Sequence, residues 1–186
     1  MLGSGGNYLT AFNRWPDVTY SSFYLGPDGR GGRAGLLGKD IVPPSGDVGY
    51  YYDPSNPAPT YGGWIFQSAP SPGGVGCVDQ SPLSVRQDVL QFNSLRLRKE
   101  LAICGGDITA TLTVSSTAND TDFIVRLVDQ YPDGGERYLV AEGIVRMRWR
   151  NHTLVPLAMH PEREYTVSLH RWFSYDGNAS SSHPTL

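Results

Sequence analysis

The sequence lacks the apolar runs that cross or target membranes. No uninterrupted apolar run in the 186 residues approaches the roughly 18 needed for a membrane-spanning helix. Met1 to Gly6 also lack the charged and apolar regions of a secretory signal. We therefore expect a soluble chain without a membrane partner, while its compartment stays open.

An excess of basic residues is absent as well. The formal net charge is −3, whereas nucleic-acid modules usually carry a basic surplus that neutralises phosphates. This balance argues against a nucleic-acid partner.

Catalytic and metal-binding motifs are missing too. No Gly-x-Ser-x-Gly pentapeptide occurs, although a serine hydrolase of the nucleophile-elbow type needs one to expose its hydroxyl. There is no His-x-x-x-His, and the two cysteines, Cys77 and Cys104, are too few for a zinc signature. We expect no catalytic residue, metal or cofactor in this chain. Whether the two cysteines pair stays open. The four histidines are interpreted as surface or loop residues: His152, His160, His170 and His183.

The residues that are abundant predict an all-β fold. The sequence contains 22 glycines and 14 prolines, and it has almost no 3.6-residue periodicity, so turns joining short strands are expected. The length suits one domain, which we predict to span residues 1–186 with 1–12 and 174–186 poorly ordered.

The chain is organised around the stretch from Thr117 to Gly134. Its residues 123–128 are apolar on one face and largely apolar on the other, which predicts a central strand. Tyr131-Pro132-Asp133-Gly134 predicts a chain reversal and a β-hairpin. The clearest period-2 alternation runs from Asp107 to Ser115.

Other segments complete the predicted sheets. Residues 144–150 sort Val145, Met147 and Trp149 onto one face and three arginines onto the other, and 165–169 repeat this alternation. Strands are also predicted at 19–25, 48–52 and 88–93, and a loop is predicted over the Gly/Arg/Leu stretch that ends at Lys39. About eight short strands indicate two packed antiparallel sheets, a jelly-roll β-sandwich.

One loop stands out because Trp64, Ile65 and Phe66 are adjacent among Ser, Pro and Gly residues. They either plug the domain's own core or project towards a partner surface or pocket.

Three further groups have alternative interpretations. Four aspartates could bind calcium, but turn and strand-end roles fit their spacing better: Asp120, Asp122, Asp129 and Asp133. The arginine row at 146, 148 and 150 could grip an acidic surface, but a solvated sheet face or pairing with Glu136 and Glu142 fits it better. Tyr50 to Tyr52 and Trp64 could stack on sugar rings.

Two long blocks resemble a known family. Asp120 to Gly134 followed by Glu142 to Arg150 closely resembles the C-terminal domain of the cocaine esterase and X-Pro dipeptidyl-peptidase family of serine hydrolases. Shorter matches precede them in the family's order: Trp15-Pro16, Phe23 to Gly26, Tyr52 to Gly63, Asp79-Gln80 and Arg86 to Leu90.

The resemblance implies a galactose-binding-like jelly roll that is not catalytic. In such enzymes the catalytic serine, aspartate and histidine lie upstream in an α/β-hydrolase domain, which would be this domain's partner. It also implies that the loop after Gly62-Gly63 approaches the active-site mouth, which favours Trp64, Ile65 and Phe66 as substrate-pocket or domain-interface residues.

One departure from the family pattern concerns the end of the chain. Family members usually continue with further strands after the segment matching 165–172, so this chain is expected to lack one or two strands. The open sheet edges could then support self-association. A stand-alone carbohydrate- or ligand-binding module is the alternative function.

Overall fold

The computed structural model describes residues 11, 13–14, 17, 19–27, 34–39, 46–63, 74–97, 108–131, 135–151, 154–170 and 173–174. The chain forms two compact units. One comprises Met1–Tyr8, Tyr61–Asp79 and Gly105–Leu186, and the other comprises Leu9–Thr60 and Gln80–Cys104. We call the first the sandwich unit and the second the small-sheet unit.

The described residues of the sandwich unit form five strands in two sheets. In the first, β4 (Thr109–Val114) pairs antiparallel with β7 (Tyr165–His170). In the second, β6 (Arg137–Arg146) lies between β5 (Asp122–Gln130) and the short β8 (Phe173–Ser174). Met147–Trp149 form one turn of 3-10 helix directly after β6.

Apolar side chains from both sheets form the core between them. Met147, Met159, Val167 and Leu169 are buried together. Partly buried side chains from β4, β5, β6 and β7 pack against them: Ala110, Leu112, Val114, Phe123, Val125, Val145 and Tyr165. Because the two inner faces meet in this way, the unit is a β-sandwich.

Three short strands lie in the described part of the small-sheet unit. β1 (Phe23–Pro27) pairs antiparallel with β2 (Ala34–Lys39), and β2 pairs parallel with β3 (Gln91–Asn93). Ser81–Leu83 form a single 3-10 turn, in which Leu83 is buried. A side chain at Gly35 would collide with the Phe92 ring and the Gly26 carbonyl, so glycine is required where these strands meet.

The predicted all-β class is confirmed, because the described residues form eight strands and two 3-10 turns. The predicted β-hairpin is confirmed by the antiparallel pairing of β5 and β6, while residues 132–134 of the predicted turn lie outside the described residues. The alternation in β4 is also confirmed, since every second residue from Thr109 is exposed. The jelly-roll connectivity stays a prediction.

Several local predictions were wrong. Residues 34–39 are a strand and not a loop, because glycines remove the side-chain alternation while the backbone still pairs. Residues 48–52 form no strand, and β1 begins only at Phe23 and extends to Pro27. β5 pairs with one strand among the described residues, so β6 is the central one. The strand expected through residue 150 ends at Arg146, and Trp149 is 40% exposed.

Candidate functional site

Trp64, Ile65 and Phe66 lie outside the described residues. The structure describes the chain on either side of them, at Tyr61 to Gly63 and Gly74 to Asp79. We call these two segments the loop base, with an outgoing arm at 61–63 and a returning arm at 74–79. Both arms belong to the sandwich unit.

The two arms are joined by a reciprocal pair of backbone hydrogen bonds. The Gly63 amide donates to the Gly76 carbonyl at 3.0 Å, and the Gly76 amide donates to the Gly63 carbonyl at 2.7 Å. Gly62 and Gly63 have φ angles of 69° and 83°, a left-handed conformation that glycine adopts without strain. A Cβ on Gly62 would also overlap the Gly76 carbonyl and lie 2.9 Å from Val78. The Gly-Gly pair is therefore needed to close the loop base.

The returning arm is fixed to strand β6. The Leu139 amide donates to the Val78 carbonyl at 3.2 Å, and the Arg137 amide donates to Asp79 Oδ1 at 2.8 Å. Asp79 also forms an isolated β-bridge with Tyr138. Because Leu139 is fully buried, this arm is anchored to the sandwich core.

The outgoing arm contacts the same sheet at Glu142. A Cβ added to Gly63 would lie 2.7 Å from Glu142 Oε1. Glu142 Oε2 accepts a hydrogen bond of 3.2 Å from Arg126 Nε, and the two side chains are only 17% and 15% exposed. Glu142 and Arg126 are register partners across β6 and β5. The outgoing arm thus lies beside Glu142 on the outer face of the β5–β6 hairpin.

The returning arm also carries a thiol beside two tyrosines. Cys77 is a free thiol, and burial, followed by the Asp129 charge, raises its pKa. Tyr131 and Tyr138 meet edge to face with ring centroids 5.3 Å apart. Burial and Asp129 raise the pKa of Tyr131, and Glu136 is the main cause of the raised pKa of Tyr138. These groups are therefore neutral at physiological pH. Cys104 lies outside the described residues.

The predicted charged residues form ion pairs with partners that differ from those expected. Asp122 holds Arg146 through two hydrogen bonds of 2.8 and 2.9 Å, and Asp120 binds both the side chain and the amide of Arg148. The predicted pairing of the arginine row with Glu136 and Glu142 was wrong, because Glu142 binds Arg126. Among the described residues, no three His, Cys, Asp or Glu side chains come together as a metal site. Asp133 lies outside them.

The third arginine, Arg150, joins two segments of the backbone. Its guanidinium donates to the carbonyls of Met147 and Leu157, both at 2.7 Å, and it lies 4.6 Å from the centroid of the Tyr165 ring. Backbone acceptors and an aromatic face therefore satisfy this cation, and it ties the 3-10 turn to the chain that leads into β7.

A cavity of about 40 Å³ lies between the two sheets. Its lining is mainly apolar and includes Ile108, Ala110, Val125, Leu127 and Leu169. Ligand pockets usually combine an apolar lining with a few polar groups that orient the ligand; because this lining is mainly apolar, we assign no ligand site to the cavity. No helix in the described part of the chain is long and apolar enough to cross a membrane.

Of the aromatic residues considered for sugar stacking, the three tyrosines Tyr50 to Tyr52 belong to the small-sheet unit, and Trp64 lies outside the described residues. Tyr51 is 85% exposed, and Tyr50 and Tyr52 are less so. Burial, then Asp88 and Tyr52, raise the pKa of Tyr50. Beside them, Asp53 accepts hydrogen bonds from the Ser55 hydroxyl and amide at 2.7 and 2.9 Å. Of the four histidines, His160 is exposed, while His152 and His183 lie outside the described residues.

Sequence reasoning missed the Arg126–Glu142 pair and the anchoring role of Asp79. The signals were present, since oppositely charged residues on the two strands of a hairpin favour pairing. Locating the pair required the exact register of β5 and β6.

Comparison with known proteins completes the description of this site. The family model for the X-Pro dipeptidyl-peptidase C-terminal non-catalytic domain matches residues 3–174. The chain is 36% identical over 157 residues to cocaine esterase from Rhodococcus sp. (strain MB1 Bresler). This similarity covers 83% of the chain and 26% of that protein, so the chain spans about a quarter of the length of the curated relative it matches.

Proposed function

The chain belongs to the family of X-Pro dipeptidyl-peptidase C-terminal non-catalytic domains, and from this membership we propose that it is the accessory β-sandwich of a serine hydrolase. In this proposal it packs against an α/β-hydrolase domain and presents Trp64, Ile65 and Phe66 as part of the wall of the active site or of the domain interface. The parent enzyme hydrolyses an ester or an X-Pro peptide bond through an acyl-enzyme. The catalytic serine, histidine and aspartate lie outside this chain.

The closed loop base is the observation that supports a presenting role. Contacts on a rigid scaffold commonly come from loops that the scaffold holds at their ends. Here the two arms are bonded to each other at Gly63 and Gly76, and the returning arm is bonded to β6. Residues that follow Gly63 directly therefore begin from a fixed point on the sandwich.

The non-catalytic part of the proposal is tested with a fluorophosphonate probe, which labels activated serines. We expect no stoichiometric labelling of this chain and labelling of the full-length protein at a serine outside it. A labelled serine within residues 1–186 would end the proposal.

The presenting role is tested with Trp64→Ala in the full-length hydrolase. Truncating a large apolar side chain on the pocket wall removes apolar contact with the substrate, so kcat/KM should fall by roughly tenfold. Leu95→Ala is the matched control, because Leu95 is an exposed apolar residue of the small-sheet unit. Equal, small effects of both substitutions would contradict the role of Trp64.

A carbohydrate-binding module is the second candidate. The exposure of Tyr51 favours it, since an exposed aromatic face can stack on a sugar ring. Binding on a glycan array that is lost in Tyr51→Ala would support this function, and an array without binding would remove it. Self-association through sheet edges also stays a proposal, and a monomer in light scattering at high concentration would contradict it.

A further inference from the structure

Two ion pairs on the outer face of the β5–β6 hairpin differ in their surroundings. Asp122–Arg146 and Arg126–Glu142 both join register partners on the two strands. The first pair is solvated, with Arg146 and Asp122 side chains 55% and 34% exposed. The second is enclosed, with side chains 15% and 17% exposed, and its carboxylate lies so near the outgoing arm that a Cβ on Gly63 would be 2.7 Å from Glu142 Oε1.

We infer that Arg126 and Glu142 are a positioning pair that fixes the outgoing arm of the loop base, and through it the three residues proposed to contact substrate. This inference rests on the proposed function. It adds two residues that would support that function at a distance from the chemical step. Neither residue is proposed to touch substrate.

The two carboxylate oxygens of Glu142 have different neighbours, which supports this role. Glu142 Oε2 is bonded to Arg126, while Oε1 faces the Cα of Gly63. The guanidinium thereby holds the carboxylate in one orientation and compensates its charge in a partly enclosed setting. Gly63 uses its own amide and carbonyl to bond Gly76. The carboxylate is therefore a fixed wall for the outgoing arm.

The wall adjoins the part of the loop base that has the greatest backbone freedom. The returning arm is bonded to β6 through Val78 and Asp79. The outgoing arm contains two consecutive glycines in left-handed conformations, and glycine has the greatest backbone freedom of any residue. Loss of the wall would shift or loosen Gly63, and Trp64 follows it directly. A misplacement of about 1 Å at a substrate-positioning group is enough to reduce activity strongly.

The first test uses Glu142→Gln and Arg126→Met in the full-length hydrolase. We expect KM to rise by about three- to tenfold with kcat within about twofold, because the loss concerns substrate binding and not the chemical step. Asp122→Asn is the matched control on the same hairpin and face, and it should leave both parameters unchanged. An unchanged KM in Glu142→Gln, or an equal rise in Asp122→Asn, would overturn the inference.

The second test is a double-mutant cycle on the melting temperature of the same protein. Gly63→Ala adds a Cβ against Glu142, so part of its destabilisation should disappear in a Glu142→Ala background. Gly74→Ala is the control, because Gly74 has a φ of 92° and no atom within 4 Å of an added Cβ. Its effect should be the same in both backgrounds.

The two proposals fail in distinguishable ways. If Trp64→Ala raises KM but Glu142→Gln does not, the proposed function stands and the positioning pair is wrong. If Gly63 and Glu142 show coupling in the cycle while neither Trp64→Ala nor Glu142→Gln changes KM, the proposed function is wrong. If the coupling is absent, the positioning pair is wrong whatever the kinetics.

Discussion

The sandwich unit and the small-sheet unit are stabilised by different means. In the sandwich unit, apolar side chains from two sheets meet around Met147 and Met159. In the small-sheet unit, Leu83 is the buried apolar residue among those described, and polar contacts are prominent. Arg86 holds Asp88 with bonds of 2.7 and 2.8 Å and reaches the Asn56 carbonyl at 2.6 Å. Among the described residues, apolar burial is more extensive in the sandwich unit, whereas backbone pairing and directed polar bonds are prominent in the small-sheet unit.

This difference explains which strands can be read from the sequence. A strand that buries one face must alternate apolar and polar residues, as β4 does from Thr109 to Val114. β2 contains Gly35 and Gly38 and is held by backbone pairing on both sides. Its sequence therefore carries no alternation, and a loop was predicted there.

The candidate site was only partly predictable for a different reason. The sequence identified the Gly62-Gly63 pair and the apolar residues after it, but not the residues that support the loop base. Gln130 pairs with Arg137, and uninterrupted one-to-one pairing from there would place Arg126 opposite Ala141. A register shift between Leu127 and Val128 places it opposite Glu142 instead. A bulge of one residue moves side chains to the other face, and local sequence does not specify it.

The largest effect should come from removing a core side chain of the sandwich unit. Met147→Ala deletes a fully buried side chain at the centre of the cluster, which should lower the free energy of unfolding by about 2–5 kcal/mol. Urea denaturation followed by circular dichroism measures the loss. Ile124→Ala is the control on the exposed face of β5 and should cost less than about 1 kcal/mol. Similar losses in both variants would contradict a core at Met147.

A smaller loss of stability is expected from adding a side chain at the close backbone approach in the small-sheet unit. A Cβ at Gly35 would lie 2.5 Å from the Gly26 carbonyl and overlap the Phe92 ring, so Gly35→Ala should cost about 1–3 kcal/mol. Gly49→Ala in the same unit meets no atom within 4 Å and should be close to neutral. Peptide-resolved hydrogen exchange should show faster exchange in residues 23–39. Unchanged exchange there would contradict the observed packing of β2.

Removing the polar contacts of the small-sheet unit tests the comparison directly. Arg86→Met leaves the Asp88 carboxylate, which is 9% exposed, without its strongest partner, and the expected loss is roughly 1–3 kcal/mol. Faster hydrogen exchange should appear at 53–60 and 84–91 and not in β4 to β7. Arg14→Met breaks an exposed pair with Asp17 and should cost less than about 0.5 kcal/mol. Equal losses in the two variants would show that the Arg86 contacts are not structural.

The smallest effect concerns the protonation of Asp53. The Ser55 hydroxyl, followed by the Ser55 amide, lowers the pKa of this carboxyl, because both hydrogen bonds favour the charged form. The turn is therefore stabilised at pH values above the ordinary pKa of aspartate, and this stabilisation is lost as pH falls through the lower, folded value.

An NMR titration of the Asp53 carboxyl measures this directly. The midpoint should lie below the ordinary aspartate value, and Ser55→Ala should move it upwards, since the larger of the two causes is removed. Ser94→Ala is a control, because the Ser94 hydroxyl donates to the Leu95 carbonyl, and this substitution should leave the midpoint unchanged. A midpoint that does not respond to Ser55→Ala would mean that the hydroxyl bond does not hold this turn. The polar side of the contrast between the units would then depend on contacts such as those of Arg86.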